Sequence, residues 1–199
     1  MSFRKEKKFR LSTSDMLKLK NELFKTGMTT LHKPRKVNSC YFDTQHLTLY
    51  HESEEGVLPR KKIRIRWYNN DKKFSKETKI SSIEGRYKFS KKSSFITSIK
   101  ELKNLKFFDN SYGTLHPRLI VKYDRSYYLF NNLRITFDRN ISYNDLKSNS
   151  TLTYHDNECV MEVKVPIECN DDYIEKIIKY PTTRFSKYSR GLLFCNKSL

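Results

Sequence analysis

The sequence predicts a mainly β (α+β) protein: an eight-stranded antiparallel β-barrel tunnel with a charged lumen and a few amphipathic helices packed outside. Two observations carry this. Strand-like segments recur along the chain, each with apolar residues on one face and charged residues on the other. The charged faces hold mostly Arg and Lys with isolated Glu, while the intervening helical stretches each present an apolar stripe that needs an apolar surface to cover. Helices on the apolar outside leave the charged faces to line an interior, which a wide barrel tolerates. At 199 residues, without a repeat or a composition shift, a single domain over 1–199 is expected.

The first segment, residues 3–11, puts Arg4, Glu6, Lys8 and Arg10 on one face and Phe3, Phe9 and Leu11 on the other. Ser12-Thr13-Ser14-Asp15 starts a helix over 15–26, in which Met16, Leu17, Leu19, Leu23 and Phe24 recur at helical spacing until Gly27. Residues 37–42 read as a strand, Asp43-Thr44-Gln45 as a turn, and 47–52 as that strand's continuation or partner. After a loop over 53–59 comes the sharpest alternation: over 60–68, Lys62, Arg64 and Arg66 share one face and Ile63, Ile65 and Trp67 the other. Asn69-Asn70-Asp71 makes a hairpin turn into a strand over 74–80, with Glu77 and Lys79 on one face. Arg86 and Lys88 alternate with Tyr87 and Phe89, and Ser93-Ser94 caps a helix carrying Phe95, Ile96, Ile99, Leu102 and Leu105. Pro117 opens a strand over 118–128, with Val121, Tyr123, Arg125 and Tyr127 on one side. In 133–141, Arg134, Thr136, Asp138 and Asn140 oppose Leu133, Ile135, Phe137 and Arg139; in 159–166, Glu162 and Lys164 oppose Met161, Val163 and Val165. Helices follow over 170–179, through Ile174, Ile177 and Ile178, and over 184–194, through Phe185, Leu192 and Leu193.

Lys and Arg number 40 against 22 acidic residues, a formal net charge of +18. Nucleic acid, acidic lipid head groups and polyphosphorylated ligands could all match such a surplus. Aromatic residues at 14% exclude a disordered basic tail. Most alternate onto the face opposite the charges, which argues against base stacking and so against nucleic acid. Cys40, Cys159, Cys169 and Cys195 form no C-x-x-C pair, so reduced thiols are expected rather than zinc or disulfides. No glycine-rich phosphate loop is present, and any phosphate site must be built from side chains. The first eight residues lack the apolar run of a signal peptide, and no window approaches the roughly 20 apolar residues of a membrane span. A cytoplasmic chain without direct membrane insertion is expected.

A lumen holding Lys8, Arg10, Lys62, Arg64, Arg66, Lys79, Arg86, Lys88, Arg125 and Arg134 calls for an anion, because confinement strips water while repulsion persists. Arg offers a bidentate fork and Lys a mobile point charge, so a mixture can follow a chain of phosphates. Three acid-x-base pairs, Glu6-Lys8, Glu77-Lys79 and Glu162-Lys164, add carboxylates that phosphate alone does not need but that Mg²⁺ or Mn²⁺ favours. Glu162 is the first metal candidate; for Glu6 and Glu77 cross-strand ion pairs are the simpler role. Each cationic strand taken alone reads as a solvated sheet face, and the sum of the strands makes the ligand reading the stronger. Tyr41 and Phe42 read as core and Asp43 as a turn former. Lys187 and Arg190 could simply complement a helix C-terminus.

The chain resembles the VTC (vacuolar transporter chaperone) polyphosphate polymerase domain, a branch of the triphosphate tunnel metalloenzyme group. The matching pieces run in order: Arg-Lys-Glu-Lys-Lys-Phe at 4–9, Ser-Cys-Tyr-Phe-Asp-Thr at 39–44, Lys-Ile-Arg-Ile-Arg-Trp-Tyr at 62–68, Glu-Thr-Lys at 77–79, Val-Lys-Tyr-Asp-Arg at 121–125, Arg-Ile-Thr-Phe-Asp-Arg at 134–139, Met-Glu-Val-Lys at 161–164 and Phe-Ser-Lys-Tyr-Ser-Arg-Gly at 185–191. The resemblance implies a polyphosphate polymerase that moves the γ-phosphoryl of ATP onto a growing chain with Mn²⁺ or Mg²⁺. It puts Lys8, Arg64, Arg66, Lys79, Lys88, Arg125, Arg134 and Lys187 on the phosphates and Glu162 on the metal. Lys62, Arg10, Arg86 and Lys164 are weaker phosphate candidates on the same faces. Tunnel enzymes outside this branch often begin Glu-x-Glu-x-Lys; here Arg4 replaces the first Glu, which favours polymerase over hydrolase. The alternatives are a metal-dependent triphosphatase acting on inorganic triphosphate or a nucleotide, and a non-catalytic polyphosphate binder. A membrane-protein partner that receives the product is compatible with each.

Overall fold

The computed structural model describes residues 4–93, 96, 98–147, 152–166 and 171–196, so that Phe3, Ser94, Phe95, Cys169 and Asn170 lie outside the described residues. The strands are β1 (Arg4–Leu11), β2 (Thr29–Asp43), β3 (Arg60–Tyr68), β4 (Phe74–Ser81), β5 (Arg86–Ser93), β6 (Phe107–Asp109), β7 (Gly113–Phe130), β8 (Leu133–Asp145), β9 (Tyr154–Asp156) and β10 (Cys159–Pro166). The helices are α1 (Thr13–Lys25), α2 (Thr48–Glu55), α3 (Ile99–Leu102), α4 (Asp171–Ile177) and α5 (Lys187–Cys195). Eight strands follow one path, β1-β10-β8-β7-β2-β3-β4-β5, with the short β6 on β7 and β9 on β8. This is the expected mainly antiparallel architecture with its eight principal strands; the path itself is open, ending at β1 and β5.

The chain forms two compact units of three segments each: residues 1–35, 123–141 and 156–185, and residues 36–122, 142–155 and 186–199. In the first, β1 pairs with β10 and β10 with β8, both antiparallel. The apolar faces of these strands, through Phe9, Leu11, Ile135, Phe137, Met161 and Val163, are covered by Met16, Leu19 and Leu23 of α1 and by Ile174 of α4 with Ile178 just beyond it. Each such side chain, fully buried, contributes roughly 2 kcal/mol. Helix α1 begins where Ser12 Oγ accepts the amide of Asp15 at 3.0 Å. Of its five predicted apolar positions, Leu17 and Phe24 stay 49% and 41% exposed, so the stripe is narrower than its spacing suggests.

In the second unit β2, β3, β4 and β5 form an antiparallel ladder in which Cys40, Phe42, Ile63, Ile65, Trp67 and Phe74 make the apolar face, with Leu49 of α2 and Leu102 of α3 against it. Three expectations are corrected here. Residues 47–52 are not strand but the start of α2: the carboxylate of Asp43 accepts the amides of Leu49 and Tyr50 at 2.9 and 3.0 Å, which satisfies a helix N-terminus. Of the helix expected after Ser93, the described residues form only the four of α3, because the chain then turns into β6, which pairs with the start of β7; Ser94 and Phe95 lie outside the described residues. Strand β7 therefore begins at Gly113 rather than at Pro117, and its ladder with β6 ends at Leu115, before the proline that has no amide to donate.

Candidate functional site: two cationic faces with buried glutamates

Strand register decides which cations meet. On the face of β3 opposite its apolar residues, Lys62 lies directly across from Lys79, and Lys79 across from Lys88 of β5. One step along, Tyr41, Arg64 and Glu77 form the next row across β2, β3 and β4, and Ser39, Arg66 and Ser75 the row after it. Like charges directly opposite one another are destabilising in a sheet, so the lysine row stands at a cost that only a counter-charge offsets.

Glu77 is one such counter-charge. Only 3% exposed, it accepts Nε and Nη2 of Arg64 on Oε2 at 2.8 and 2.7 Å and Nζ of Lys88 on Oε1 at 2.6 Å, with Arg66 Nη1 3.6 Å away. Burial alone would raise its carboxyl, but Arg64, Arg66 and Lys88 outweigh burial and hold it down at about 2. Arg64 also donates Nη1 to the Tyr41 hydroxyl at 2.8 Å, and Arg66 donates Nε to Ser39 Oγ at 3.3 Å. Burial acts to raise the Tyr41 hydroxyl too, yet the charges of Arg64, Arg66 and Lys62 bring it to about 8.

Helix α5 stands on this same charged side, unlike α2 and α3. Its Tyr188 stacks on Tyr41 with ring centroids 5.0 Å apart and donates to Asp43 Oδ2 at 2.6 Å. Ser186, its N-cap, accepts Nζ of Lys62 at 2.9 Å. Leu192 is buried as expected, but Leu193 is 43% exposed, and Tyr188, Ser189 and Gly191 complete the buried side. A methyl group at Gly191 would lie 2.5 Å from both Leu119 Cδ2 and Tyr143 Cδ1, so the close approach of this helix requires glycine. Lys187 is the first residue of α5, which removes the helix-dipole reading: a cation there opposes the N-terminal end of the macrodipole.

The first unit carries its own buried glutamate. Glu162, 5% exposed, faces Lys8 on one neighbouring strand and Thr136 on the other. Lys164 Nζ is 3.1 Å and Arg125 Nη2 3.5 Å from its carboxylate. Burial would push its carboxyl up, but the hydrogen bond with Glu6 and the charges of Arg125, Lys164 and Lys8 keep it well below the usual carboxylate range. Arg125 is anchored by a two-pronged bond to Asp138, which is fully buried, at 2.6 and 2.7 Å. Lys8 donates to the carbonyl of Phe185 at 2.8 Å. Arg134 and Arg10 lie on the same face but are exposed, Arg134 opposite Lys164 and Arg10 3.7 Å from Glu158. The side chain of Arg86 lies outside the described residues.

Arg64, Arg66 and Lys88 are thus gathered around Glu77, with Lys62 and Lys79 in the row beside it, and Lys8, Arg125 and Lys164 around Glu162. Sequence reasoning did not single out Tyr41, Asp43, Asp138 or Tyr188 as site supports. Parity along β8 places Asp138 with Arg134, and only the fold reveals that it holds Arg125 instead. No group of three His, Cys, Asp or Glu side chains is placed to bind a metal among the described residues. The oxygen donors do suit a hard cation that keeps water and phosphate ligands: Glu6 and Glu162 lie together, and Thr136 Oγ1, in register with Glu162, is buried without a hydrogen-bond partner. Glu77, enclosed by three cations, is poorly suited to that task.

Basic sheet faces with glutamates sunk among their arginines and lysines thus lie on a largely antiparallel β scaffold. The chain belongs to the VTC domain family, whose model matches residues 3–196. Among solved structures it is similar to a Bacillus halodurans protein named as an adenylate cyclase, at 13% identity and a TM-score of 0.62 over 93% of this chain and 94% of that one. It is also similar to a conserved hypothetical protein from Pyrococcus furiosus, at 14% identity and a TM-score of 0.57 over 93% and 98%. A Hippeastrum protein named as an adenylyl cyclase and described as having a dominant triphosphatase activity is similar at 14% identity and a TM-score of 0.52, over 92% of each chain. These likenesses are of fold. No curated protein matches the chain.

Proposed function

We propose that this chain is a polyphosphate polymerase that transfers the γ-phosphoryl of ATP onto a growing inorganic polyphosphate chain. The observation that supports this most directly is the Lys62, Lys79 and Lys88 row beside the Arg64–Glu77 pair: repeated cations suit a repeated anion. In this reading Lys62, Lys79 and Lys88 hold successive phosphates as mobile point charges. Arg64 and Arg66, fixed by Glu77, Tyr41 and Ser39, present preorganised donors where charge develops on the phosphoryl group in flight. In the first unit Arg125, Lys8 and Lys164 bind phosphate oxygens, with the exposed Arg134 and Arg10 at the margin; Lys187 adds a cation at the start of α5. Glu162 and Glu6, with Thr136, would hold Mn²⁺ or Mg²⁺, which supplies charge neutralisation at the phosphates when bound. No described helix is long and apolar enough to cross a membrane, and a cytoplasmic reaction, with a membrane protein receiving the product, fits this scheme.

The test is incubation of the purified protein with ATP and Mn²⁺ or Mg²⁺, with products resolved by chain length. Ladders of long phosphate chains are expected, and Arg64→Ala should abolish them while circular dichroism stays native. The second reading is hydrolysis, favoured by the triphosphatase activity stated for the Hippeastrum protein. Free phosphate without ladders would establish it, and tight tripolyphosphate binding without turnover would leave a binder.

A further inference from the structure

Within the second unit lies a cavity of about 490 Å³ lined by Gln45, His46, Lys103, His116, Pro117, Arg118 and Lys147. It shares no residue with the cationic sheet face, and none of its seven lining side chains is acidic. Arg118 gives it a ligand-seeking character: the residue is 5% exposed, yet its buried Nε has no hydrogen-bond partner. A buried guanidinium N–H left unpaired bears an uncompensated desolvation penalty, and native proteins seldom carry one without a bound group or water to satisfy it. The carboxylates that flank the lining residues in sequence are committed elsewhere. Asp43 takes the amides of Thr44, Leu49 and Tyr50 and the Tyr188 hydroxyl, and Asp145 takes the amide of Lys147.

We infer that this cavity is a second anion site, built for a short inorganic phosphate chain such as pyrophosphate or tripolyphosphate, with Arg118 at its buried wall and Lys103 and Lys147 at its exposed rim. The chemistry of the lining selects the ligand. One guanidinium, two ammonium groups and two imidazoles are all able to donate, which suits a multiply charged tetrahedral oxyanion. No phenyl, phenol or indole ring lines the cavity, so a nucleobase would find no broad stacking surface and the inorganic chain is preferred to a nucleotide. The inference does not depend on whether the chain polymerises or hydrolyses.

Calorimetric titration of the whole protein with pyrophosphate tests it. The Lys103→Glu/Lys147→Glu variant changes two exposed lysines and should bind one equivalent fewer than the wild type, or bind that equivalent at least ten-fold more weakly. Lys72→Glu/Lys73→Glu makes the same charge change on exposed residues elsewhere in the unit and should leave the stoichiometry intact. Arg64→Ala should also retain the equivalent that the Lys103/Lys147 variant loses. Unchanged binding in the Lys103/Lys147 variant, or an equal loss in the Lys72/Lys73 variant, overturns the site. The product ladders from ATP are a separate readout, so failure here and failure of the polymerase reading are told apart.

Discussion

Glu77 shows how one residue sets the chemistry of a whole face. Arg64 and Arg66 are 9% and 8% exposed, and without the carboxylate between them two guanidinium groups would be buried beside each other uncompensated. Removing one partner of a buried ion pair costs about 3–5 kcal/mol, so Glu77→Gln should lower the unfolding free energy by about 3 kcal/mol in denaturant titrations at neutral pH. The linkage has a definite sign. Because the folded carboxyl is held down at about 2, below the ordinary glutamate value of 4.5, its stabilisation is fully present above pH 4.5 and is lost as pH falls through 2. Wild-type stability should therefore drop between pH 4.5 and 2 more steeply than that of Glu77→Gln; parallel curves would refute the assignment. Tyr41 offers a second check. With its hydroxyl near 8, ultraviolet titration should find one of the 13 tyrosines ionising well before the others, and Tyr41→Phe should remove that step.

At the scale of elements, α5 is held by aromatic stacking, a buried Tyr188–Asp43 hydrogen bond and a glycine contact. Gly191→Ala poses two opposed effects. Alanine improves helix propensity by about 1 kcal/mol, but its methyl would stand 2.5 Å from Leu119 and Tyr143, both fully buried. Overpacking of that kind costs about 1–3 kcal/mol, so the clash prevails and the melting temperature should fall. Because Ser186 and Lys187 travel with the helix, tripolyphosphate affinity should fall as well. Strands β3 and β10 are found over the residues that their alternation predicts, since Ile63, Ile65 and Trp67 in one and Met161, Val163 and Val165 in the other pack in apolar cores, and a one-residue slip would invert both faces. Helix α2 was not legible, because its stabilising group is Asp43, which local pattern assigns to a turn. The same limit applies to the site. Alternation places Lys62, Arg64 and Arg66 on one face, but only strand register brings Glu77 to Arg64 and Lys88 to Lys79.

For the molecule as a whole, the formal charge of +18 dominates encounters with anions. Long-range attraction is screened over about 8 Å at physiological ionic strength, so the association rate for tripolyphosphate should fall steeply between 50 and 200 mM salt. The contacts around Glu77 and Glu162 are buried and screened less, so dissociation should change far less; stopped-flow mixing separates the two. A salt-independent association rate would mean that the surplus charge does not steer the ligand.

The lysine row has a further consequence. Lys62, Lys79 and Lys88 are chemically alike and sit on adjacent strands, roughly 4.8 Å apart. For a linear polyanion laid over them each forward shift exchanges one ammonium contact for another, and only the ties of Lys88 to Glu77 and of Lys62 to Ser186 distinguish the registers. If the proposed polymerase reading holds, such a row would let the chain shift without setting its direction, and directionality would come from the chemistry at the chain end.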